Sequence, residues 1–311
     1  MEPTAQTRAA QSPRYLPASP EGALRERLAR VRYIFTDIDG TLFAPGSCAL
    51  SDNDRAPSLT LATALVDLKR AGIEVIPCSG RCRAMLHEDC RVLGFNSYIG
   101  DMGGLIMYDL KADDWEYFAG DMPYDPACGL TPHQVIERTG AIQRIIDRYP
   151  GHIEYYNDMA NGYKYREVAF GLRGDVPEGE LRAMLEESGA EVDLANNGRL
   201  NYVSKPTTLE LAPGTSAWGY MVVPRGLNKG VALDRFCARK GIDRLEALGI
   251  GDSSSDFELA PHVGTFVCVE NALANAEVCS IIHQCGNAYV ALGSTIDGWA
   301  YMASALLAAR E

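Results

Sequence analysis

The segment RYIFTDIDGTLF places two aspartates, Asp37 and Asp39, one residue apart at the end of a short apolar run. Residues 33–35 are aromatic or β-branched and favour a buried strand, whereas the Asp-Gly that follows favours a turn. The sequence therefore predicts two carboxylates at the carboxyl end of a strand. A pair of aspartates in a turn is also compatible with a purely structural role, so partners elsewhere in the chain must decide between the two.

Further polar groups follow other predicted strands or open a predicted helix. They are Ser79, Gly80 and Arg81 after one strand, Asp252 and Asp256 after another, and Lys229 at the start of a helix. Consecutive βα units place ligands at the carboxyl ends of their parallel strands. We therefore expect these groups to meet Asp37 and Asp39 on one rim of a sheet.

This set of residue types suits phosphoryl transfer. Mg²⁺ takes carboxylate and carbonyl oxygens, so Asp37, the backbone carbonyl of Asp39 and Asp252 are expected to form its shell. The ammonium group of Lys229 and the hydroxyl of Ser79 can hold the nonbridging oxygens of a phosphate. Backbone N–H groups near Gly80, at the start of a helix, add to that anion site.

Composition narrows the class of protein. The 311 residues predict about two domains, and a net charge of −12 disfavours partners that are nucleic acids or anionic membranes. No apolar run approaches the roughly 20 residues of a membrane span. The nine cysteines show no paired zinc-ligand spacing, and the Pro- and Ala-rich N-terminal stretch lacks the apolar core of a signal peptide. We therefore expect reduced thiols and a cytoplasmic location.

The order of predicted elements indicates an α/β protein with a Rossmann-like parallel-sheet core and an inserted domain. Strands and helices alternate in residues 21–110 and again in residues 218–311, which together form the predicted core. Residues 111–217 combine strand-like and helix-like segments and are predicted to be a small α+β cap with an antiparallel sheet. Residues 1–20 are predicted to be a flexible tail.

Four short segments resemble, in order, the four motifs of the haloacid dehalogenase superfamily. They are DIDGT at 37–41, CSGR at 78–81, LNKG at 227–230 and GDSSSD at 251–256. The insert resembles the C2-type cap of the Cof-like branch, which includes sugar-phosphate phosphatases. The resemblance covers nearly all of the chain from Val31 onward, and four ordered motifs carry far more weight than one.

The resemblance implies a role for each matching carboxylate. Asp37 corresponds to the nucleophile that becomes an aspartyl-phosphate, and Asp39 corresponds to the general acid and base. Asp252 corresponds to a metal ligand, and Asp256 to a further ligand or to a partner of one. The implied cofactor is Mg²⁺.

Some positions depart from the family pattern or add to it. Ser255 and Met102 each stand where the family usually has asparagine. In the predicted cap, Lys164 and Arg166 fall on one face of a predicted strand and are candidates for contacting the substrate. A solvated cationic face is the alternative for this pair.

The sequence thus predicts a Mg²⁺-dependent phosphatase for a small phosphorylated metabolite, with a sugar or polyol phosphate as the expected substrate. A cap that closes over the site disfavours macromolecular substrates. Two alternatives stay open: a phosphomutase of the phosphomannomutase type and a noncatalytic module that binds a phosphorylated ligand. Retention of both Asp37 and Asp39 argues against the second alternative.

Overall fold

The computed structural model of the protein describes residues 12–156, 165–200 and 203–311. The chain forms two compact units: Met1–Glu74 with Asp243–Glu311, and Val75–Ile242. We call them the first unit and the second unit. The core and cap ranges given above stay predictions.

The first unit is built on parallel strands. Its strands and α-helices are α1 (Gly22–Ala29), β1 (Tyr33–Thr36), α2 (Thr60–Arg70), β10 (Ala247–Gly251), β11 (Thr265–Val269), α8 (Ala276–Ile282), β12 (Ala288–Ala291) and α9 (Thr295–Ala308). The strand order is β12, β11, β10, β1. All pairs are parallel, which confirms the predicted α/β class.

The buried strands of this sheet explain where its polar residues lie. β1 and β10 carry Ile34, Phe35, Leu248 and Ile250, all with no exposed surface. α9 packs against α2, β11 and β12. Polar groups are excluded from such a core unless they are paired, so the carboxylates appear where the strands end.

The second unit begins within β2 (Glu74–Pro77), at Val75, and contains antiparallel sheets. Its remaining strands and α-helices are α3 (Arg83–Leu93), β3 (Tyr98–Gly100), β4 (Leu105–Asp109), β5 (Asp114–Tyr117), α4 (Pro132–Arg138), α5 (Ala141–Arg148), β6 (Ile153–Tyr155), β7 (Phe170–Gly174), α6 (Glu178–Glu187), β8 (Val192–Arg199), β9 (Trp218–Pro224) and α7 (Lys229–Lys240). One sheet has the order β3, β4, β5, and the other has the order β6, β7, β9, β8.

The strand β9 differs from its sequence interpretation. The βα alternation predicts that it belongs to the parallel sheet, but it pairs antiparallel with both β7 and β8. Tyr220 and Val222 join the core cluster that contains α4–α6, whereas Met221 and Val223 join a second apolar cluster. A strand that is apolar on both sides has the same sequence pattern in either type of sheet, so pattern alone cannot distinguish them.

Within the described residues, no helix combines the length and the apolar character that a bilayer span requires.

Candidate active site

The first motif lies in a tight turn directly after β1. The N–H of Asp37 donates to the carbonyl of Ile250 at 2.9 Å, which continues the parallel pairing by one residue. The turn closes where the N–H of Phe43 donates to the carbonyl of Ile38, also at 2.9 Å. Asp37 is buried and Asp39 is exposed, so the two carboxylates of this motif have different environments.

Gly40 brings this turn against the fourth motif. Its φ of +89° lies in a region that only glycine adopts readily. A Cβ at this position would overlap Oδ2 of Asp252 and lie 2.9 Å from its Cγ. The hydroxyl of Thr41 donates to Oδ1 of Asp252 at 3.0 Å. The glycine of the first motif is therefore required by contact with the carboxylate of the fourth.

Three carboxylates meet at this edge of the sheet. Asp37, Asp252 and Asp256 each offer an oxygen, and these oxygens lie within 4.8 Å of one another. Carboxylates so close together repel each other unless a cation or a proton neutralises them. A set of hard oxygen donors fits Mg²⁺ or a similar divalent ion. This cluster is a candidate metal site, and it contains three of the four predicted ligands.

Asp256 also organises the turn that carries Asp252. Its Oδ2 accepts from the N–H groups of Asp252 and Ser253, at 3.0 and 2.9 Å, and from the Ser253 hydroxyl at 2.7 Å. Ser255, which replaces the usual asparagine, forms a 2.9 Å hydrogen bond to the same hydroxyl. The departure from the family pattern thus leaves a hydrogen-bonded turn.

Asn271 belongs to this region but is absent from the sequence-based site. It lies in the 3₁₀ segment Glu270–Ala274 after β11, and its Nδ2 donates to the carbonyl of Gly40 at 3.0 Å. The same Nδ2 is 3.4 Å from Oδ2 of Asp252, and its Oδ1 accepts from the N–H of Thr295 at 2.9 Å. The carboxyl-end rule that identified Asp252 also applies to Asn271, and would have found it.

In the second unit, two of the three predicted phosphate-binding residues, Ser79 and Lys229, are buried. Ser79 is 2% exposed, and its Oγ accepts from the N–H of Arg81 at 3.3 Å. Lys229 is 3% exposed and begins α7, whose cap is Asn228. A buried ammonium group requires an anionic or strongly polar partner. The predicted role of both residues in binding phosphate stays a prediction.

The other predicted cations have different surroundings. Arg81 donates from Nη1 to Oδ2 of Asp89 at 2.7 Å. The side chain of Arg166 is 5% exposed and forms a 2.6 Å ion pair with Asp101. It precedes β7 instead of lying in a strand, and its predicted role in contacting a substrate stays a prediction. Lys164 lies outside the described residues.

Comparisons with known proteins agree with this geometry. A family profile described as haloacid dehalogenase-like hydrolase matches residues 209–283. The phosphoglycolate phosphatase of Methanospirillum hungatei is 26% identical over 249 residues, covering 78% of this chain and 85% of the relative.

Solved structures share the fold at low identity. The Thermoplasma acidophilum protein 0175 has a TM-score of 0.58 at 17% identity and covers 89% of this chain and 99% of its own. The sucrose-phosphatase of a Synechocystis species, solved with sucrose and phosphate, has a TM-score of 0.55 at 16% identity, with coverages of 86% and 93%.

The chain is therefore similar to the haloacid dehalogenase-like hydrolases, through the profile match at residues 209–283 and the likeness to the curated relative over most of its length. The resemblance of its motifs to that superfamily and to its Cof-like branch is confirmed.

Proposed function

We propose that the protein is a Mg²⁺-dependent phosphatase that hydrolyses a small phosphorylated metabolite through an aspartyl-phosphate. The observation that carries this proposal is the cluster of Asp37, Asp252 and Asp256. It lies at the carboxyl ends of adjacent parallel strands, where α/β enzymes bind their ligands. A structural turn alone would not require three carboxylates to approach one another.

The two carboxylates of the first motif have different roles in the proposed reaction. Asp37 attacks phosphorus and forms the acyl phosphate, while the bond from phosphorus to the alkyl oxygen breaks. Asp39, in its protonated form, donates that proton to the departing alcohol and later takes one from the water that hydrolyses the acyl phosphate. Its exposed position suits exchange of protons with solvent.

The metal site has a matching set of ligands. Asp37, Asp252, Asp256 and the backbone carbonyl of Asp39 would hold Mg²⁺. When bound, the ion offsets the negative charge that otherwise keeps a carboxylate nucleophile away from a phosphoryl group.

Phosphate recognition is assigned to the second unit. We propose that the Ser79 hydroxyl, the backbone at Gly80 and the Lys229 ammonium group bind the nonbridging oxygens. The burial of Ser79 and Lys229 supports this role, since hydrogen bonds to a charged group are strongest away from solvent.

The proposed substrate is a small phosphomonoester. The sequence favours a sugar or polyol phosphate, and the Synechocystis structure is of a sucrose-phosphatase. The Methanospirillum hungatei relative is named a phosphoglycolate phosphatase, which makes phosphoglycolate the second compound to test.

The test is phosphate release from sugar phosphates, polyol phosphates, phosphoglycolate and nucleotides, with Mg²⁺ and with EDTA. We expect Mg²⁺-dependent turnover that beryllium fluoride inhibits, because it mimics the aspartyl-phosphate. Asp37→Asn removes the nucleophile and should abolish turnover without loss of the fold. Asp67→Asn, on the exposed surface of α2, is the matched control.

Near-normal turnover by Asp37→Asn would reject this mechanism. Transfer of the phosphoryl group to a second sugar position, dependent on a bisphosphate activator, would identify a mutase instead.

A further inference from the structure

A buried ion pair touches the predicted phosphate-binding loop. Nη1 of Arg166 donates to Oδ1 of Asp101 at 2.6 Å and to the carbonyl oxygen of Gly80 at 2.9 Å. The two charged side chains are 5% and 1% exposed. One guanidinium nitrogen thus connects the backbone of the loop to a buried carboxylate.

Asp101 attaches the same loop through its backbone. Its N–H donates to the carbonyl of Arg81 at 2.7 Å, one residue beyond Gly80. Its Oδ2 accepts from the N–H groups of Glu167 and Val168, at 3.0 and 2.8 Å. The side chain of Asp101 therefore binds the segment that follows Arg166. The backbone N–H of Asp101 binds the loop that Arg166 also contacts.

The turn that begins at Asp101 lies between the two predicted phosphate-binding elements. Asp101 and Met102 both have positive φ, +49° and +63°, which costs free energy unless the surroundings enforce it. A Cβ on Gly80 would lie 3.0 Å from Sδ of Met102. A Cβ on Gly103 would lie 2.7 Å from the carbonyl oxygen of Asn228, the residue before Lys229. The turn is therefore packed against both elements.

We propose that Asp101 and Arg166 are positioning residues for phosphate binding. Together they fix the backbone at Gly80 and, through the adjacent turn, the start of the helix that carries Lys229. The inference deepens the proposed function and rests on it in one respect, that these elements bind a phosphoryl group. It gives Arg166 a role different from contact with the variable part of a substrate.

The chain offers a matched control in Arg173 and Glu154. This pair is also buried, at 4% and 10% exposed, with a separation of 2.7 Å. It lies in the same unit, and the further hydrogen bonds of Arg173 go to Ser204 and Pro206. A substitution at either arginine therefore disturbs a buried arginine–carboxylate ion pair. Only a substitution at Arg166 also disturbs the contact with Gly80.

Lysine is the informative substitution at both sites. It keeps the positive charge opposite the buried carboxylate, so the fold is not left with an unpaired charge. Its Nζ lies where arginine has Cζ, about 1.3 Å short of Nη1. Arg166→Lys should therefore loosen the contact to Gly80 while it retains the ion pair. Asp101→Asn is a second variant that keeps the shape but sets an amide against the guanidinium.

The experiment measures binding of inorganic phosphate to the full chain by calorimetry in the presence of Mg²⁺. We expect Arg166→Lys and Asp101→Asn to raise the Kd for phosphate by about tenfold or more. This is the effect of losing one hydrogen bond that orders the loop around a charged ligand. Arg173→Lys should leave the Kd for phosphate within about twofold of the wild type. Its thermal midpoint should fall by about as much as that of Arg166→Lys.

Equal effects of Arg166→Lys and Arg173→Lys on the Kd, or no effect of Arg166→Lys, would overturn the inference. If Arg166→Lys does not fold, Asp101→Asn decides by the same criterion. Wild type that binds no phosphate would also overturn it. Wild type that binds phosphate in an Arg166-dependent way, yet hydrolyses no phosphomonoester, would leave the inference standing and reject the proposed phosphatase.

Discussion

Replacing Gly40 with alanine perturbs the acidic cluster without removing a carboxylate. The new Cβ would overlap Oδ2 of Asp252 and lie 2.9 and 3.0 Å from its Cγ and Oδ1. Asp252 must then move, and the hydrogen bond that its Oδ1 accepts from the Thr41 hydroxyl must lengthen or break. The substitution therefore separates the geometry of the cluster from its composition.

The size of the effect follows from two costs. A non-glycine residue at the φ of Gly40, +89°, costs about 1–3 kcal/mol. Loss of the Thr41 hydrogen bond costs about 1 kcal/mol, because the carboxylate of Asp252 is partly exposed and water replaces the donor in part. We expect the free energy of unfolding to fall by about 2–4 kcal/mol.

The matched control is Gly72→Ala. Gly72 belongs to the same unit and has a φ of +71°, but a Cβ there meets no atom within 4 Å. In the Gly72→Ala variant, backbone strain alone should lower the free energy of unfolding by about 1–3 kcal/mol. Urea unfolding gives the free energy of unfolding of both variants. The dependence of phosphate release on Mg²⁺ concentration shows whether the acidic cluster is altered. We expect Gly40→Ala to need at least about tenfold more Mg²⁺ for half-maximal activity, since a ligand has moved.

The comparison between the two variants has a clear contrary outcome. If Gly40→Ala and Gly72→Ala lose the same stability and keep the wild-type Mg²⁺ dependence, then Gly40 does not hold Asp252 in place. The geometric argument for the metal site would then be wrong.

Further substitutions test the remaining assignments. Lys229→Ala should lower kcat by about 10²–10³-fold, because it removes a preorganised hydrogen-bond donor. Lys240→Ala, at the exposed end of the same helix, should change kcat little and is the control. A change of less than about threefold in the steady-state kcat of Lys229→Ala would show that Lys229 is not in the site. Asp39→Asn with p-nitrophenyl phosphate should give a burst near one equivalent of p-nitrophenol in stopped-flow measurement, since this leaving group needs little protonation, followed by turnover slowed by about 10²–10⁴-fold. A sugar phosphate should give no comparable burst, and wild-type rates on both substrates would contradict the acid–base role.

Local sequence patterns determined the parts of the fold that depend on neighbouring residues in the chain. An apolar β-branched run followed by Asp-X-Asp-Gly is enough to predict a strand, a turn and carboxylates at the strand end. The rule for parallel strands then predicted that Asp37 and Asp252 meet, and the structure brings their carboxylates together. The relative placement of these two residues, more than 200 positions apart, follows from adjacent strands in one sheet.

Tertiary structure alone decided features that depend on distant partners. The pattern of β9 is apolar on both faces and cannot reveal whether its neighbours are parallel or antiparallel. Likewise, the charge of Arg166 suggests an exposed cation, but a carboxylate 65 positions earlier buries it against the loop at Gly80. Periodicity records which face of a segment is apolar, whereas pairing depends on which segment folding brings to that face.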